Sequence, residues 1–168
     1  MVVNVDNKCI FRTIVLGSDH AGFELKLHLL ETLREISEQL KTSGIHLQIL
    51  DIGTVDSEKS VDYPDYASKV VEMMRKEGRE DSSKPNYMGI LICGTGIGMS
   101  IKANRYGWIR AALCHNAEYA KLARAHNDAN VLVLGGRYIS NTVADEILSI
   151  FMSTPFEEGR HSNRIKKL

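Results

Sequence analysis

The chain has 168 residues, of which 43% are hydrophobic and 25% charged, and its 21 Lys+Arg balance its 21 Asp+Glu. This length and composition are typical of one globular domain, which we take as residues 1–168. A formal charge of zero argues against general nucleic-acid binding and against binding to an anionic membrane, because both need a basic excess.

The cysteines and the N-terminus indicate where the protein resides. Cys9, Cys93 and Cys114 form no CxxC pair, so we expect no disulfide framework and a cytoplasmic location. No apolar run approaches the ~20 residues of a membrane span, and the first nine residues lack the apolar core of a signal peptide. We interpret residues 1–11 as an N-terminal extension.

The first half of the chain alternates short apolar runs with helical patterns. A β-branched run predicts a strand over Thr13 to Leu16, and apolar residues in steps of three and four predict a helix from Phe23 to just before Ser43. Next come a second strand over 45–52, a polar loop over 53–66 and a helix through Ala67, Val70, Val71 and Met74. A charged surface insertion over 78–86 follows them.

The second half repeats the alternation and ends in a basic tail over residues 157–168. The patterns predict strands over 88–93, 109–114 and 130–134, and helices over 97–104, over 117–125 with Asn116 as N-cap, and from a cap at Asn141 to Thr154-Pro155. Five strands alternating with helices predict an α/β fold, a Rossmann-like three-layer sandwich with a five-stranded parallel sheet and helices on both faces. Ligands of such folds bind at the carboxyl ends of the strands.

A glycine-rich loop follows Cys93 at the predicted end of the third strand. Gly94, Gly96 and Gly98 let backbone N–H groups turn inward and form an anion-binding nest before a helix. The spacing does not match a dinucleotide fingerprint, which needs a Gly where Met99 stands, or a cysteine phosphatase loop, which needs an Arg there. It does not match a P-loop either, because Gly-Lys-Ser/Thr is absent. The loop indicates an anion cradle beside a thiol, but a buried cysteine before a tight turn explains the motif as well.

Two further groups are predicted to lie near this loop. Asp19 and His20 follow the first strand, where Asp19 could simply cap the helix and His20 could be a solvated loop residue. The alternative is a polar pair that faces the ligand pocket at the carboxyl edge of the sheet. Tyr63, before Pro64, could line the wall of that pocket or pack in the core.

His126 lies at the end of the fourth predicted helix and precedes Asn127. A helix C-terminus favours a histidine and then an asparagine as the left-handed cap, so a structural role would explain His126 and Asn127. If His126 is instead an acid or a base, geometry limits where it acts. A crossover helix runs antiparallel to its strands, and its length of ~14 Å returns His126 to the amino edge of the sheet, away from Cys93. Catalysis by His126 therefore predicts a homodimer with shared active sites.

Three arginines are candidate phosphate ligands, because the guanidinium fork matches phosphate oxygens. Arg137 follows the fifth strand, and Arg160 and Arg164 are spaced i, i+4 in the tail, which would put the last two on one helical face. Most surface arginines bind nothing, so solvated side chains remain the alternative for each.

Five motifs, in this order, resemble the type B ribose-5-phosphate isomerases, a sugar-phosphate isomerase family that also includes galactose-6-phosphate isomerase subunits. The motifs are Gly17-Ser18-Asp19-His20-Ala21-Gly22-Phe23, Asp62-Tyr63-Pro64, Ile92-Cys93-Gly94-Thr95-Gly96-Ile97-Gly98, His126-Asn127-Asp128-Ala129-Asn130-Val131 and Gly159-Arg160-His161. The likeness runs from about Thr13 to Arg164.

The resemblance implies interconversion of ribose 5-phosphate and ribulose 5-phosphate through an enediolate, with no metal and no other cofactor. It makes Cys93 the base that moves a proton between C2 and C1, and it makes His126 the residue that assists ring opening. Asp19 would sit near the ring hydroxyls. The backbone of Gly94, Thr95, Gly96, Ile97 and Gly98, with the Thr95 side chain, would hold the enediolate, Asn127 a substrate oxygen, and His20, Arg137, Arg160 and Arg164 the phosphate.

The alternatives are an isomerase of galactose 6-phosphate or allose 6-phosphate, and a non-catalytic phosphosugar-binding module. A six-carbon substrate needs a longer pocket, which a sequence does not show. A binding module could dispense with Cys93 and His126, and their presence favours an enzyme. The expected partner is a small sugar phosphate, and the expected assembly is a homodimer or a tetramer.

Overall fold

The computed structural model describes residues 9–77 and 87–168, so most of the predicted N-terminal extension and the predicted insertion at 78–86 lie outside the described residues. The strands are β1 (Thr13–Ser18), β2 (Gln48–Asp51), β3 (Tyr87–Cys93), β4 (Ala111–Leu113) and β5 (Val131–Gly135). The helices are α1 (Phe23–Thr42), α2 (Tyr63–Glu77), α3 (Ile97–Ala103), α4 (Ala117–Asn127), α5 (Asn141–Ser153) and α6 (Arg160–Ile165), and a short 3-10 turn covers His20–Gly22.

The five strands form one sheet in the order β2-β1-β3-β5-β4, and every neighbouring pair is parallel. This confirms the predicted α/β fold. The strand order reverses between β1 and β3, and such switch points are where open α/β sheets bind ligands. Ser18 pairs with Ile92, and the Asp19 N–H donates to the Ile92 carbonyl at 3.2 Å. The loops that begin at Asp19 and Cys93 are therefore neighbours at the switch point.

Two apolar cores lie on the two faces of the sheet. One contains Ile14, Leu16 and Ile92 together with residues of α1 and α5, and the other contains Val15, Cys93 and residues of α2 and α3. Consecutive strand residues point to opposite faces, which explains why Ile92 and Cys93 fall in different cores. The Cys93 side chain therefore lies on the face covered by α2 and α3.

Several predicted boundaries were wrong. α2 begins at Tyr63, inside the segment predicted as a polar loop, and Pro64 is tolerated because N–H groups of a first helical turn have no intrahelical partner. α4 extends through His126 to Asn127, two residues further than predicted. β2 and β4 have 4 and 3 residues, fewer than the apolar runs that predicted them, because flanking apolar residues pack without sheet pairing.

Two predicted caps were also wrong, while a third was confirmed. Asn116 caps α4 by accepting a hydrogen bond from the Tyr119 N–H at 2.9 Å. The left-handed residue after α4 is Asp128, with φ 44°, and not Asn127. α5 is capped by Ser140, whose hydroxyl accepts from the Val143 N–H, because Ser140 rather than Asn141 has the extended backbone that an N-cap requires.

The remaining sequence expectations concern cysteines, the membrane and the tail. The three cysteines are buried and free, as predicted. None of the helices within residues 9–77 and 87–168 is long and apolar enough to cross a membrane. The tail contains α6, which spans both Arg160 and Arg164 and so places them on one helical face as predicted.

Candidate active site

The loop between β3 and α3 holds the Cys93 thiol. Cys93 is 4% exposed, and the Gly96 N–H donates a hydrogen bond to its Sγ at 3.2 Å. Gly96 has φ +78°, and a methyl group there would lie 2.4 Å from Leu113 Cδ1, so the turn requires glycine twice over. The loop thus directs one backbone donor at the sulfur.

Thr95 and Ile97 are exposed on the outer side of the same loop. The Thr95 hydroxyl accepts from the Ile97 N–H at 3.3 Å, which partly satisfies the first turn of α3. The Tyr63 ring covers the next residue, since a methyl group on Gly98 would lie 2.5 Å from Tyr63 Cζ. Tyr63 therefore packs against this loop, and its place on the wall of a ligand pocket stays a prediction.

The Asp19 carboxylate is buried at the switch point, with 6% of the residue exposed. Its Oδ1 accepts from the Gly22 N–H at 3.0 Å, so the capping role is present. Burial raises the pKa of Asp19, against the opposing effects of the Gly22 N–H and of the nearby positive charges of His20 and Arg137. His20 and Arg137 thus lie close enough to act on the carboxylate electrostatically, while the interpretation of Asp19 and His20 as a polar pair facing a ligand pocket stays a prediction.

His20 and Arg137 present nitrogen donors at the same edge. The Val61 N–H donates to His20 Nδ1 at 3.2 Å, so the proton of the neutral ring is on Nε2, which can donate. The Arg137 side chain lies along the glycine loop, since a methyl group on Gly94 would lie 3.3 Å from its Cζ. We call Asp19, His20, Tyr63, residues 93–98 and Arg137 the carboxyl-edge cluster.

A second group of polar side chains gathers where α4 ends and α6 begins. His126, Asn127, His161 and Arg164 line one cavity of about 260 Å³. The rings of His126 and His161 are stacked, with centroids 4.2 Å apart and planes 7° from parallel. We call these four residues, together with Glu157 and Arg160, the amino-edge cluster.

Glu157 and Arg160 flank the two stacked rings. Glu157 Oε2 lies 3.6 Å from His126 Nε2 and 3.9 Å from His161 Nε2, and Arg160 Nε donates to His161 Nε2 at 3.4 Å. Burial, and then the charges of His126, Arg160 and Arg164, lower the pKa of His161, while Glu157 opposes this shift. These effects favour the neutral form of the His161 ring.

Backbone hydrogen bonds fix the amino-edge cluster in place. The Glu157 N–H donates to the Ala125 carbonyl at 2.9 Å, which ties the tail to the last turn of α4. Asp128, in its left-handed conformation, accepts from Arg110 Nη2 at 2.7 Å and from Arg124 Nη1 at 2.9 Å. His126 is therefore positioned by a helix end that is closed by two ion pairs.

The two clusters lie at opposite edges of the sheet within one chain. Gly89 pairs with Val131 and Cys93 with Gly135, so Cys93 is four residues, or about 13 Å, along the strands from the level of Val131. The segment after α4 approaches the other end, because the Asp128 carbonyl accepts from Arg110 Nε at 2.9 Å just before β4. One chain does not bring Cys93 and His126 together.

Sequence reasoning identified most of these residues but assigned no role to Glu157 or His161. His161 directly follows Arg160. Glu157 precedes His161 by four residues, and this i, i+4 spacing across the start of α6 was the available signal. Among the described residues, the ligand atoms of His126, Glu157 and His161 also lie within 4.8 Å of one another, a separation from which a metal ion could be held.

Comparison with known proteins identifies a family and a fold. The model of the ribose/galactose isomerase family matches residues 14–168. The chain is 39% identical over 157 residues to ribose-5-phosphate isomerase B of Escherichia coli K12, covering 94% of each chain.

Solved structures of the same kind superpose over nearly the whole chain. A ribose 5-phosphate isomerase of Thermotoga maritima has 47% identity and a TM-score of 0.75, covering 93% of this chain and 96% of the other. Ribose-5-phosphate isomerase B of Mycoplasma genitalium, solved with bound ribulose 5-phosphate, has 38% identity and a TM-score of 0.75 over 92% of each chain.

Proposed function

The chain belongs to the ribose/galactose isomerase family, and we propose that it interconverts ribose 5-phosphate and ribulose 5-phosphate through an enediolate. The observation that carries this proposal is the buried Cys93 thiol, which receives the Gly96 N–H in a glycine loop with the Arg137 guanidinium beside it. The relative from Mycoplasma genitalium with ribulose 5-phosphate bound supports the choice of a five-carbon substrate.

The proton transfer is assigned to Cys93. Its thiolate removes the C2 proton of the open-chain aldose, and the electron pair forms a C1–C2 double bond as the carbonyl electrons move onto O1. The O2 hydroxyl proton passes to O1, and the thiol then returns the carbon-bound proton to C1 as O2 becomes the carbonyl oxygen of the ketose. Negative charge develops on the substrate oxygens, and the backbone N–H groups of the loop over 94–98 with the Thr95 hydroxyl stabilise it. Removal of one such donor costs roughly 3 kcal/mol of barrier in other enzymes.

Phosphate recognition and ring opening are assigned to both clusters. His20 Nε2–H and Arg137 from the carboxyl edge, and Arg160 and Arg164 from the amino edge, supply the charge-assisted hydrogen bonds that bind phosphate most strongly. Asp19 and Asn127 contact sugar oxygens. His126 moves the proton that the furanose must transfer between its anomeric hydroxyl and its ring oxygen as it opens, and imidazole is suited to this because it titrates near neutral pH.

Because the two clusters lie at opposite edges, we propose that a second subunit completes the site, in a homodimer that acts in the cytoplasm with residues 1–168 as one domain per subunit. A mixing experiment tests the shared site. Homodimers of Cys93→Ala and of His126→Asn should each turn over ribose 5-phosphate at least about 10²-fold more slowly than the wild type. Their mixed dimers have one intact site of two, so random exchange restores about a quarter of the wild-type activity on ribose 5-phosphate. No recovery after subunit exchange verified by mass spectrometry would show that both residues act within one chain.

The substrate assignment is tested by steady-state kinetics on ribose 5-phosphate, allose 6-phosphate and galactose 6-phosphate. We expect the largest kcat/KM on ribose 5-phosphate. A larger value on either six-carbon substrate would replace the proposed substrate, and phosphosugar binding without turnover of any of the three would indicate a binding module.

A further inference from the structure

His126, Glu157 and His161 bring two imidazole nitrogens and a carboxylate to one point of the surface. Their ligand atoms all lie within 4.8 Å of one another, and Glu157 Oε2 is 3.6 Å and 3.9 Å from the two Nε2 atoms. The rings are held parallel on the same side of the α4–α6 junction, so both Nε2 atoms are directed at the same carboxylate. The proposed isomerisation uses only His126 of these three groups.

We propose that these three residues form a binding site for a divalent transition metal ion of the zinc class, and that its occupation inhibits the enzyme. Two histidine nitrogens and one glutamate oxygen are an established zinc donor set, which leaves a fourth position open to water. The same nitrogen-rich set disfavours Mg²⁺ and Ca²⁺, which prefer oxygen ligands.

Metal binding requires a contraction of the three groups. At Zn–N and Zn–O distances of about 2.0–2.2 Å, tetrahedral ligand atoms are roughly 3.3–3.5 Å apart. The Glu157 side chain is 57% exposed and can rotate inward, while the two rings tilt out of their parallel stack towards the ion. The backbone bond from the Glu157 N–H to the Ala125 carbonyl, 2.9 Å long, keeps the carboxylate within reach throughout.

The surrounding charges determine how this site behaves. Arg160 Nε donates to His161 Nε2 at 3.4 Å, so a metal ion must displace that hydrogen bond, and the charges of Arg160 and Arg164 oppose a dication. The same arginines attract the substrate phosphate in the proposed function. Substrate and metal therefore compete, and a bound ion occupies the His126 lone pair that the proposed ring opening needs.

The inhibitory part of this inference rests on the proposed function, but the binding part does not. We therefore test binding first, by titrating the metal-free protein with Co²⁺ and following its visible absorption, and with Zn²⁺ by calorimetry. We expect one ion per chain, and at least about tenfold weaker binding in Glu157→Gln and in His161→Asn. His46→Asn, which removes an exposed histidine outside the cluster, is the matched control and should bind as the wild type does.

Three outcomes overturn the site: no saturable binding at millimolar metal, unchanged affinity in Glu157→Gln, or loss of binding in Cys93→Ala, since a thiolate is the competing ligand. Glu157 is exposed, so its variant remains informative if His161→Asn fails to fold.

Inhibition is then measured in both directions. Zn²⁺ should inhibit conversion of ribose 5-phosphate more strongly than conversion of open-chain ribulose 5-phosphate, and Glu157→Gln should relieve it. Equal inhibition in both directions, with no relief, would overturn the inhibitory role. A protein that binds Co²⁺ through these residues and isomerises neither sugar would retain the metal site and refute the proposed function instead.

Discussion

The carboxyl-edge and amino-edge clusters differ in which groups form them and in how exposed those groups are. At the carboxyl edge, the Cys93 thiol stands at the end of a buried strand and accepts one backbone N–H, that of Gly96 in the glycine turn. At the amino edge, side chains project from the last turn of α4 and from α6, and Asn127, Arg160 and Arg164 among them are exposed. Proton abstraction from carbon needs a fixed, dehydrated environment, whereas ring opening and phosphate capture need mobile protons and accessible cations.

Neither cluster is a complete site. The carboxyl edge has the proposed base for C2 but one of the three proposed phosphate arginines, and the amino edge has the proposed ring-opening histidine and the other two arginines but not the Cys93 thiol. Cys93 lies about 13 Å along the strands from the level of Val131, and the amino-edge cluster is near that far end, so the two clusters can be tested one at a time.

Removal of the thiol should have the largest effect. Cys93→Ala deletes the proposed base while keeping a small apolar side chain in the core, so we expect kcat to fall by about 10³–10⁴-fold in both directions, at the upper end of general acid–base contributions. Calorimetric binding of the sugar phosphate should persist, since no phosphate ligand is changed. Wild-type turnover in the variant would refute the assignment of Cys93 as the base.

Removal of the His126 imidazole at the amino edge should slow mainly the conversion of ribose 5-phosphate to ribulose 5-phosphate. Ribose 5-phosphate closes into a furanose, whereas ribulose 5-phosphate stays open because its O5 carries the phosphate. His126→Asn should therefore lower kcat on ribose 5-phosphate by about 10²-fold and on ribulose 5-phosphate by less than about tenfold. Initial rates in both directions measure this split, and an equal loss in both would place His126 in the carbon proton transfer.

The arginines should affect binding rather than turnover, and from both clusters alike. Charge-assisted hydrogen bonds contribute about 1.5–3 kcal/mol, so Arg137→Ala and Arg164→Ala should each raise KM by about 10- to 100-fold with little change in kcat. Arg34→Ala, on the exposed surface of α1, is the control and should leave KM unchanged. A normal KM in Arg164→Ala would mean that Arg164 takes no part in phosphate binding.

The fold was predictable because its signals are local and mutually consistent. Continuous apolar runs marked the strands β1, β3 and β5, which are almost completely buried, and helical spacing marked α1 to within a residue. The boundaries that failed depend on a backbone conformation and not on composition. Ser140 and Asn141 are equally good capping residues, and only the extended backbone of Ser140, with ψ 158°, selects it.

The site was predictable where one motif holds its own geometry, and was less so where distant segments meet. The glycine loop at Cys93 could be interpreted from its own residues. Glu157 was not, because its relevance comes from the stacked rings of His126 and His161, 4.2 Å apart, which are 35 residues apart in sequence. No periodicity in the sequence links the end of α4 to the start of α6.

The smallest expected effect concerns stability at the carboxyl edge. Burial raises the pKa of Asp19 above its ordinary value of 3.8, so the folded state holds this proton to a higher pH than the unfolded state does. Ionisation of Asp19 therefore lowers the free energy of unfolding. The whole cost applies above the pKa of the folded state, and there is no cost below the pKa of the unfolded state. Asp19→Asn removes that cost and keeps an oxygen for the Gly22 N–H.

Urea denaturation at fixed protein concentration should find the variant more stable than the wild type at pH 7, with the advantage shrinking as the pH falls through the folded pKa. Glu31→Gln, on the exposed face of α1, should show no such pH-dependent gain. A variant less stable than the wild type at pH 7 would mean that the ionised carboxylate stabilises the switch point through Gly22, His20 and Arg137 by more than its burial costs.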